Sequence, residues 1–211
     1  MNSKKLQENL ASNFSFDFTN DQKDVAESIS DFSSSISTRD IFLLKGYAGT
    51  GKTSLISALV KSLPSIGKRS VLLAPTGRAA KVLSKYSNKQ ASTIHRKIYW
   101  IRTRKNGNTY IKIKENTHSN TVFIVDEASM IPEATDKSFG NRSLLDDLIQ
   151  YVYDGIGCKL VLIGDTAQLP PVHLDISPAL NESFLNQAYS KKIISFTMKE
   201  VVRQEEDSTV L

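Results

Sequence analysis

The chain has 211 residues, 40% of them hydrophobic and 23% charged, with a formal net charge of +5. That length supports one good-sized domain with a large core, and no apolar run approaches the ~20 residues that a membrane span needs. The start, Met1-Asn2-Ser3-Lys4-Lys5, lacks the apolar core of a signal peptide. The single cysteine, Cys158, excludes an internal disulfide and any cysteine-rich metal site. The expectation is a cytoplasmic chain in a reducing setting, with no membrane partner and Cys158 as a buried thiol.

In chain order, the first dozen residues are polar and are expected to be loosely ordered. Thr19 and Gln22 have the spacing of a capping box, and Val25, Ile29 and Phe32 then mark one face of a helix. The serine cluster Ser33-Ser34-Ser35 ends it. Ile41-Phe42-Leu43-Leu44 is a buried strand leading into Gly46-Tyr47-Ala48-Gly49-Thr50-Gly51-Lys52-Thr53, followed by a helical repeat of apolar residues from Leu55. This reads G-x-x-x-x-G-K-T between a strand and a helix, the pattern of a phosphate-binding loop. Its glycines let backbone N–H groups close around phosphate oxygens with no Cβ in the way. Lys52 is placed for the β- and γ-phosphates of ATP, and the Thr53 hydroxyl for Mg²⁺.

Pro64 and Gly67 break the chain before a second strand, Ser70-Val71-Leu72-Leu73-Ala74. Pro75-Thr76-Gly77 turns into a helix that offers Ala79, Ala80, Val82 and Leu83 for packing. From 98 to 114 two runs of β-formers flank Asn106-Gly107, the strongest short hairpin signal. Between Lys97 and Lys114 lie Arg102, Arg104, Lys105 and Lys112 with no acidic residue. This hairpin suits a nucleic-acid contact, with a solvated, charge-protected edge as the alternative reading.

Val122-Phe123-Ile124-Val125 resumes the buried strands and ends in Asp126-Glu127. At a strand's carboxyl end, where open α/β sheets bind ligands, Asp126 can hold Mg²⁺ beside Thr53 and Glu127 can act as general base. By itself the pair also fits an ordinary acidic loop. Leu144, Leu145, Leu148, Ile149 and Val152 repeat at helical spacing. Leu160-Val161-Leu162-Ile163 is another buried strand, ending in Gly164-Asp165 and a proline-stiffened loop. Gln168 in that loop can reach a γ-phosphate or the attacking water, or serve no ligand at all. Ile193 to Phe196 supplies a last strand. Short apolar runs alternating with amphipathic helices predict an α/β fold, a parallel sheet with helices on both faces and a small inserted β-hairpin.

These residues also carry a family resemblance. Gln22, GYAGTGKTS at 46–54, APTGRAAKVL at 74–83, ASTIH at 91–95, VDEASM at 125–130, GDTAQLPPV at 164–172 and EVVRQ at 200–204 occur in the order found in superfamily 1 DNA helicases. The set resembles the group typified by RecD and the phage helicase Dda. That resemblance implies a RecA-like P-loop motor domain, ATP and Mg²⁺ as ligands, and single-stranded DNA as partner, with 5′-to-3′ polarity.

The same likeness implies roles. Gln22 would read the adenine edge, and the loop from Gly46 through Ala48, Gly49, Thr50, Gly51, Lys52 and Thr53 to Ser54 would hold the nucleotide. Gln168 would sense the γ-phosphate, and Arg203 would contact it from the end of the domain. Pro75, Thr76, Thr93 and His95 fall where the family meets single-stranded DNA, Arg78 stands ready for a phosphate, and Trp100, Arg102 and Arg104 belong to the pin. The expected organisation is a motor domain in two parts, 1–97 and 119–211, around a pin at 98–118. A second RecA-like domain is expected in a longer, monomeric protein. A P-loop ATPase without a DNA partner, or a module that only holds single strands, remains open on the residues alone.

Overall fold

The computed structural model describes residues 1–37, 40–103, 109–132, 143–165 and 177–201. Six parallel strands form the central sheet: β1 (Asp40–Gly46), β2 (Arg69–Ala74), β3 (Ala91–Thr93), β6 (Thr121–Val125), β7 (Lys159–Gly164) and β8 (Lys192–Met198). Their order is β3-β2-β6-β7-β1-β8. The other two strands, β4 (Tyr99–Thr103) and β5 (Thr109–Ile113), pair antiparallel as a separate ribbon. Both the parallel α/β sheet and the small hairpin agree with the expectation.

Continuous apolar runs are what a sheet covered on both faces requires, because alternate side chains enter opposite cores. Ile41 and Leu43, Phe123 and Val125, Leu160 and Leu162 enter one core with α5 (Ile94–Ile98), α6 (Leu144–Tyr153) and α7 (Glu182–Tyr189). Phe42 and Leu44, Val122 and Ile124, Val161 and Ile163 enter the other, under α1 (Asn2–Asn13), α2 (Asn20–Ser34), α3 (Lys52–Ser62) and α4 (Gly77–Ser87). Cys158 is buried, as expected, and burial pushes its thiol pKa up.

The first residues depart from expectation. They form α1, which buries Leu6 and Leu10 against the second core. Two leucines one turn apart, each worth about 1.5–3 kcal/mol on full burial, suffice when a large apolar face is already present. The polar average of that segment conceals this. The capping box is formed: the Thr19 hydroxyl accepts from Gln22 N, and Gln22 Oε1 accepts from Thr19 N at 3.0 Å.

Lys159 opens β7 at 1% exposure. Its Nζ donates to Ser35 Oγ at 2.9 Å and Ser37 O at 2.5 Å, and lies 4.6 Å from the Phe32 ring centroid. Burial, then the charge of Lys68, lowers its pKa from 10.5 to about 8. Between those values the unfolded chain holds a proton that the folded chain has released, so stability rises with pH across that window and is flat below it. Lys159→Met is expected to abolish this rise and to stabilise the protein at neutral pH by about 1–2 kcal/mol. Denaturant titrations at several pH values check this. An unchanged pH slope would show that Lys159 stays charged when folded.

Candidate nucleotide site

The sheet order places the carboxyl ends of β1, β7 and β6 side by side. From β1 comes the glycine loop. Gly49 and Gly51 have φ of 81° and 84°, the left-handed region where a Cβ is strained. At Gly46 a Cβ would stand 2.9 Å from the Met198 carbonyl oxygen of β8. Thr50 closes the turn through its hydroxyl, which donates to Tyr47 O at 2.9 Å. Gly51 caps α3, whose first-turn N–H groups have no partner within the helix and point out of its positive end.

Lys52 Nζ folds back over the loop and donates to Gly46 O and Tyr47 O, both at 2.7 Å. Burial lowers its pKa, opposed by the charges of Asp165, Asp126 and Glu127 in that order. Three carboxylates from two neighbouring strand ends therefore act on the charge of one half-buried ammonium. Asp126 hangs at the end of β6, its N–H donating to Leu73 O at 3.0 Å and its Oδ1 accepting from Glu127 N at 2.9 Å. Burial raises its pKa, as does the neighbouring Glu127 charge, while the Glu127 N–H and Lys52 hold it down. Glu127 sits at φ 55°, ψ 36°. A β-carbon there costs on the order of 1 kcal/mol, a strain that marks functional turns.

Asp165 is the residue that motif reading left out of the site. It is buried at 7% exposure beyond Gly164, and its charge acts on Lys52 ahead of that of Asp126. The signal was present: Gly164-Asp165 ends a buried strand just as Asp126-Glu127 does. Gln22 is tied to the loop from below. Its Nε2 donates to Thr50 O at 3.0 Å while its Oε1 serves the capping box. Thr53 lies half-buried and Ser54 exposed on the first turn of α3. Ala48 lies exposed in the turn. Gln168 and Arg203 lie outside the described residues.

A family model described as an AAA domain matches residues 18–210. The chain belongs to that family. It is similar to the ATP-dependent DNA helicase dda of Enterobacteria phage T4, 32% identical over 71% of this chain and 31% of that protein. The ATP-dependent RecD2 DNA helicase of Deinococcus radiodurans is 33% identical over 63% of this chain and 16% of that protein. The chain thus spans a third or less of these relatives. The Pif1 helicase from Bacteroides, solved with ADP-AlF3 and ssDNA, aligns with a TM-score of 0.53 at 18% identity, over 91% of this chain and 44% of that one. At that identity the likeness is one of fold. The resemblance to the RecD- and Dda-like group that the motifs carry is borne out by the first two relatives.

This AAA domain gathers several other expected residues on the same edge of its sheet. Ala74 of β2 is paired with Thr93 of β3, so Pro75-Thr76 and Thr93 leave the sheet side by side. Both threonines are helix caps: Thr76 Oγ1 accepts from Ala79 N and Thr93 Oγ1 from Arg96 N, each at 3.2 Å. Each hydroxyl keeps its own proton to donate. Arg78 is exposed on the first turn of α4. The His95 ring lies 5.8 Å from that of Tyr99. Trp100 is exposed on β4, with Lys114 Nζ 4.9 Å from its ring centroid. Arg102 lies on β4, and Arg104 falls outside the described residues. The ribbon is tied to the core at its root, where the Tyr99 hydroxyl donates to Asp147 Oδ2 of α6 at 2.7 Å.

The segment leaving β8 is held to the start of α2 in this AAA domain. Asp21 Oδ2 accepts from Lys199 N at 2.6 Å and Glu200 N at 3.0 Å, and Glu200 Oε2 accepts from Asn20 N at 3.2 Å. These backbone donors hold the Asp21 carboxyl below its ordinary pKa. No described helix is long and apolar enough to cross a membrane.

Proposed function

We propose that the chain is the ATP-binding motor domain of an ATP-dependent DNA helicase, coupling ATP hydrolysis to movement along single-stranded DNA in the 5′-to-3′ direction. The observation that carries this reading is the meeting of the β1 loop, with Lys52, and the β6 carboxylates Asp126 and Glu127 at one sheet edge. The loop fits a phosphate chain: its glycines leave no Cβ in the cradle, and its lysine is folded onto its own carbonyls, free to exchange them for phosphate oxygens. Oxygen donors on Thr53 and Asp126 suit a hard divalent cation. When bound, Mg²⁺ supplies the positive charge that lets a polyphosphate approach three carboxylates. Lys52 then offsets charge on the terminal phosphates, and Glu127 takes the proton of the attacking water.

Gln22 supports the loop from below and keeps its proposed place beside the base. Gln168 and Arg203 keep the γ-phosphate roles that the helicase resemblance implies. Pro75, Thr76, Arg78, Thr93 and His95 would lie along a strand of DNA, binding phosphates without reading sequence. The ribbon is proposed to act as the pin, with 98–118 inserted between the two parts of the motor domain, 1–97 and 119–211. Trp100, Arg102 and Arg104 would then meet bases and phosphates.

These residues supply one wall of a nucleotide cleft, and a second RecA-like domain is proposed to close it. Steady unwinding is therefore not expected of the 211 residues by themselves. Hydrolysis of ATP by the full-length protein, measured with and without a single-stranded oligonucleotide, is the test. Severalfold stimulation by DNA is expected. Turnover indifferent to DNA would remove the translocation part of the reading and leave the nucleotide site standing.

A further inference from the structure

The nucleotide loop occupies the carboxyl edge of the sheet. At the opposite edge, around the start of β2, lies a cleft of about 450 Å³. Lys68, Arg69, Ser70, Lys89 and His118 line it. β2 spans the distance between the two edges, about 17 Å for its six residues. No carboxylate is among the described residues that line the cleft. The one ion pair found among the described residues, Lys45 with Glu182, belongs to β1 and α7.

The cleft has a fixed frame. Arg69 N donates to Asn120 O at 3.0 Å and Lys68 N to Leu63 O at 3.2 Å, which pins the backbone that carries both cations. Lys89 Nζ donates to Ser70 Oγ at 2.7 Å, so its ammonium is held over the floor. The His118 ring packs edge-on against Phe123, 5.4 Å between centroids. Burial lowers the pKa of Lys68 and of Lys89. Burial, then the charges of Lys97 and Arg69, lowers that of His118. Cations gathered without a counter-charge repel one another, and an anion among them relieves that repulsion.

We propose that this cleft is a second phosphate site, separate from the glycine loop. A phosphate group would be held by Lys68, Arg69 and Lys89, with His118 as an added hydrogen-bond partner. Arginine and lysine together offer a planar fork and movable point charges, the donor set that phosphate oxygens take. The group could arrive on a free polyphosphate or as the phosphodiester of a DNA strand, and the two sources are separable by experiment. The proposal does not depend on the nucleotide site.

The test uses the 211-residue chain carrying Lys52→Ala, which silences the glycine loop. Inorganic pyrophosphate in one arm, and a short oligo-dT in the other, are titrated while the imidazole proton signals are followed by NMR. The chain has only three histidines, so His118 is assignable from His118→Gln. A saturable shift of the His118 signal and a rise in its pKa are expected, with His95 unmoved in the pyrophosphate arm. Response to pyrophosphate marks a free phosphate ligand, and response to oligo-dT alone marks a strand. Lys68→Ala with Lys89→Ala should weaken binding about tenfold or more, with an unchanged His95 signal reporting an intact fold. A His118 signal that neither ligand moves, or an affinity untouched in the double variant, overturns the proposal.

Discussion

Lys52→Ala is expected to weaken binding of a non-hydrolysable ATP analogue about a hundredfold, with hydrolysis falling below detection. The side chain makes two hydrogen bonds to carbonyls of its own loop. Exchanging these for phosphate oxygens gains charge-assisted bonds worth about 1.5–3 kcal/mol each. Its loss also leaves Asp126, Glu127 and Asp165 without the cation that offsets them. Those carboxylates would then oppose a polyphosphate directly, so the defect should be largest at low Mg²⁺. Calorimetric titration at two Mg²⁺ concentrations reads both effects. Wild-type affinity in the variant would mean that the loop holds no phosphate.

Glu127→Gln should behave differently. Turnover is expected to fall by about 10²–10⁴-fold, the usual contribution of a general base, while analogue binding is kept. Removing the Glu127 charge also removes one of the influences that raises the Asp126 pKa. Asp126 then ionises more readily, and Mg²⁺-dependent binding should be equal or slightly tighter. Glutamine retains the shape and the left-handed backbone of the position, so stability should not change by more than a few tenths of a kcal/mol. Single-turnover hydrolysis alongside a binding isotherm separates the two quantities. A fall in affinity matching the fall in turnover would make Glu127 a binding group and not a base.

Much of the site is written locally. A phosphate loop needs glycines and a lysine at fixed offsets within one strand–loop–helix unit, so residues 46–54 declare themselves without any knowledge of neighbours. The acidic pair at Asp126-Glu127 is less self-sufficient. The same dipeptide occurs in ordinary loops, and only its position at the end of an apolar strand suggests more. Asp165 was harder still. Its strand end resembles that of Asp126, but no local rule says that β7 lies between β1 and β6.

The helix α1 shows the same limit in packing. Leu6 and Leu10 are too few to predict order in a polar segment, and they become informative only once the face over α2 and α3 exists to receive them. The short strand β3 and the helix α7 carried no clear periodic signal, being three and eight residues long.

Composition, periodicity and turn chemistry in the chain determined the parallel α/β class, the hairpin and the glycine cradle, because each depends on residues close together along the backbone. The tertiary structure decided the strand order, and with it which carboxylates face Lys52. It decided that Asp21 holds the segment beyond β8 against α2, and that polar residues from three segments, 68–70, Lys89 and His118, line a cleft at the far edge of the sheet. Those relations join residues tens to hundreds of positions apart. They are fixed by which apolar faces bury against each other, a sum over the whole core that no local window contains.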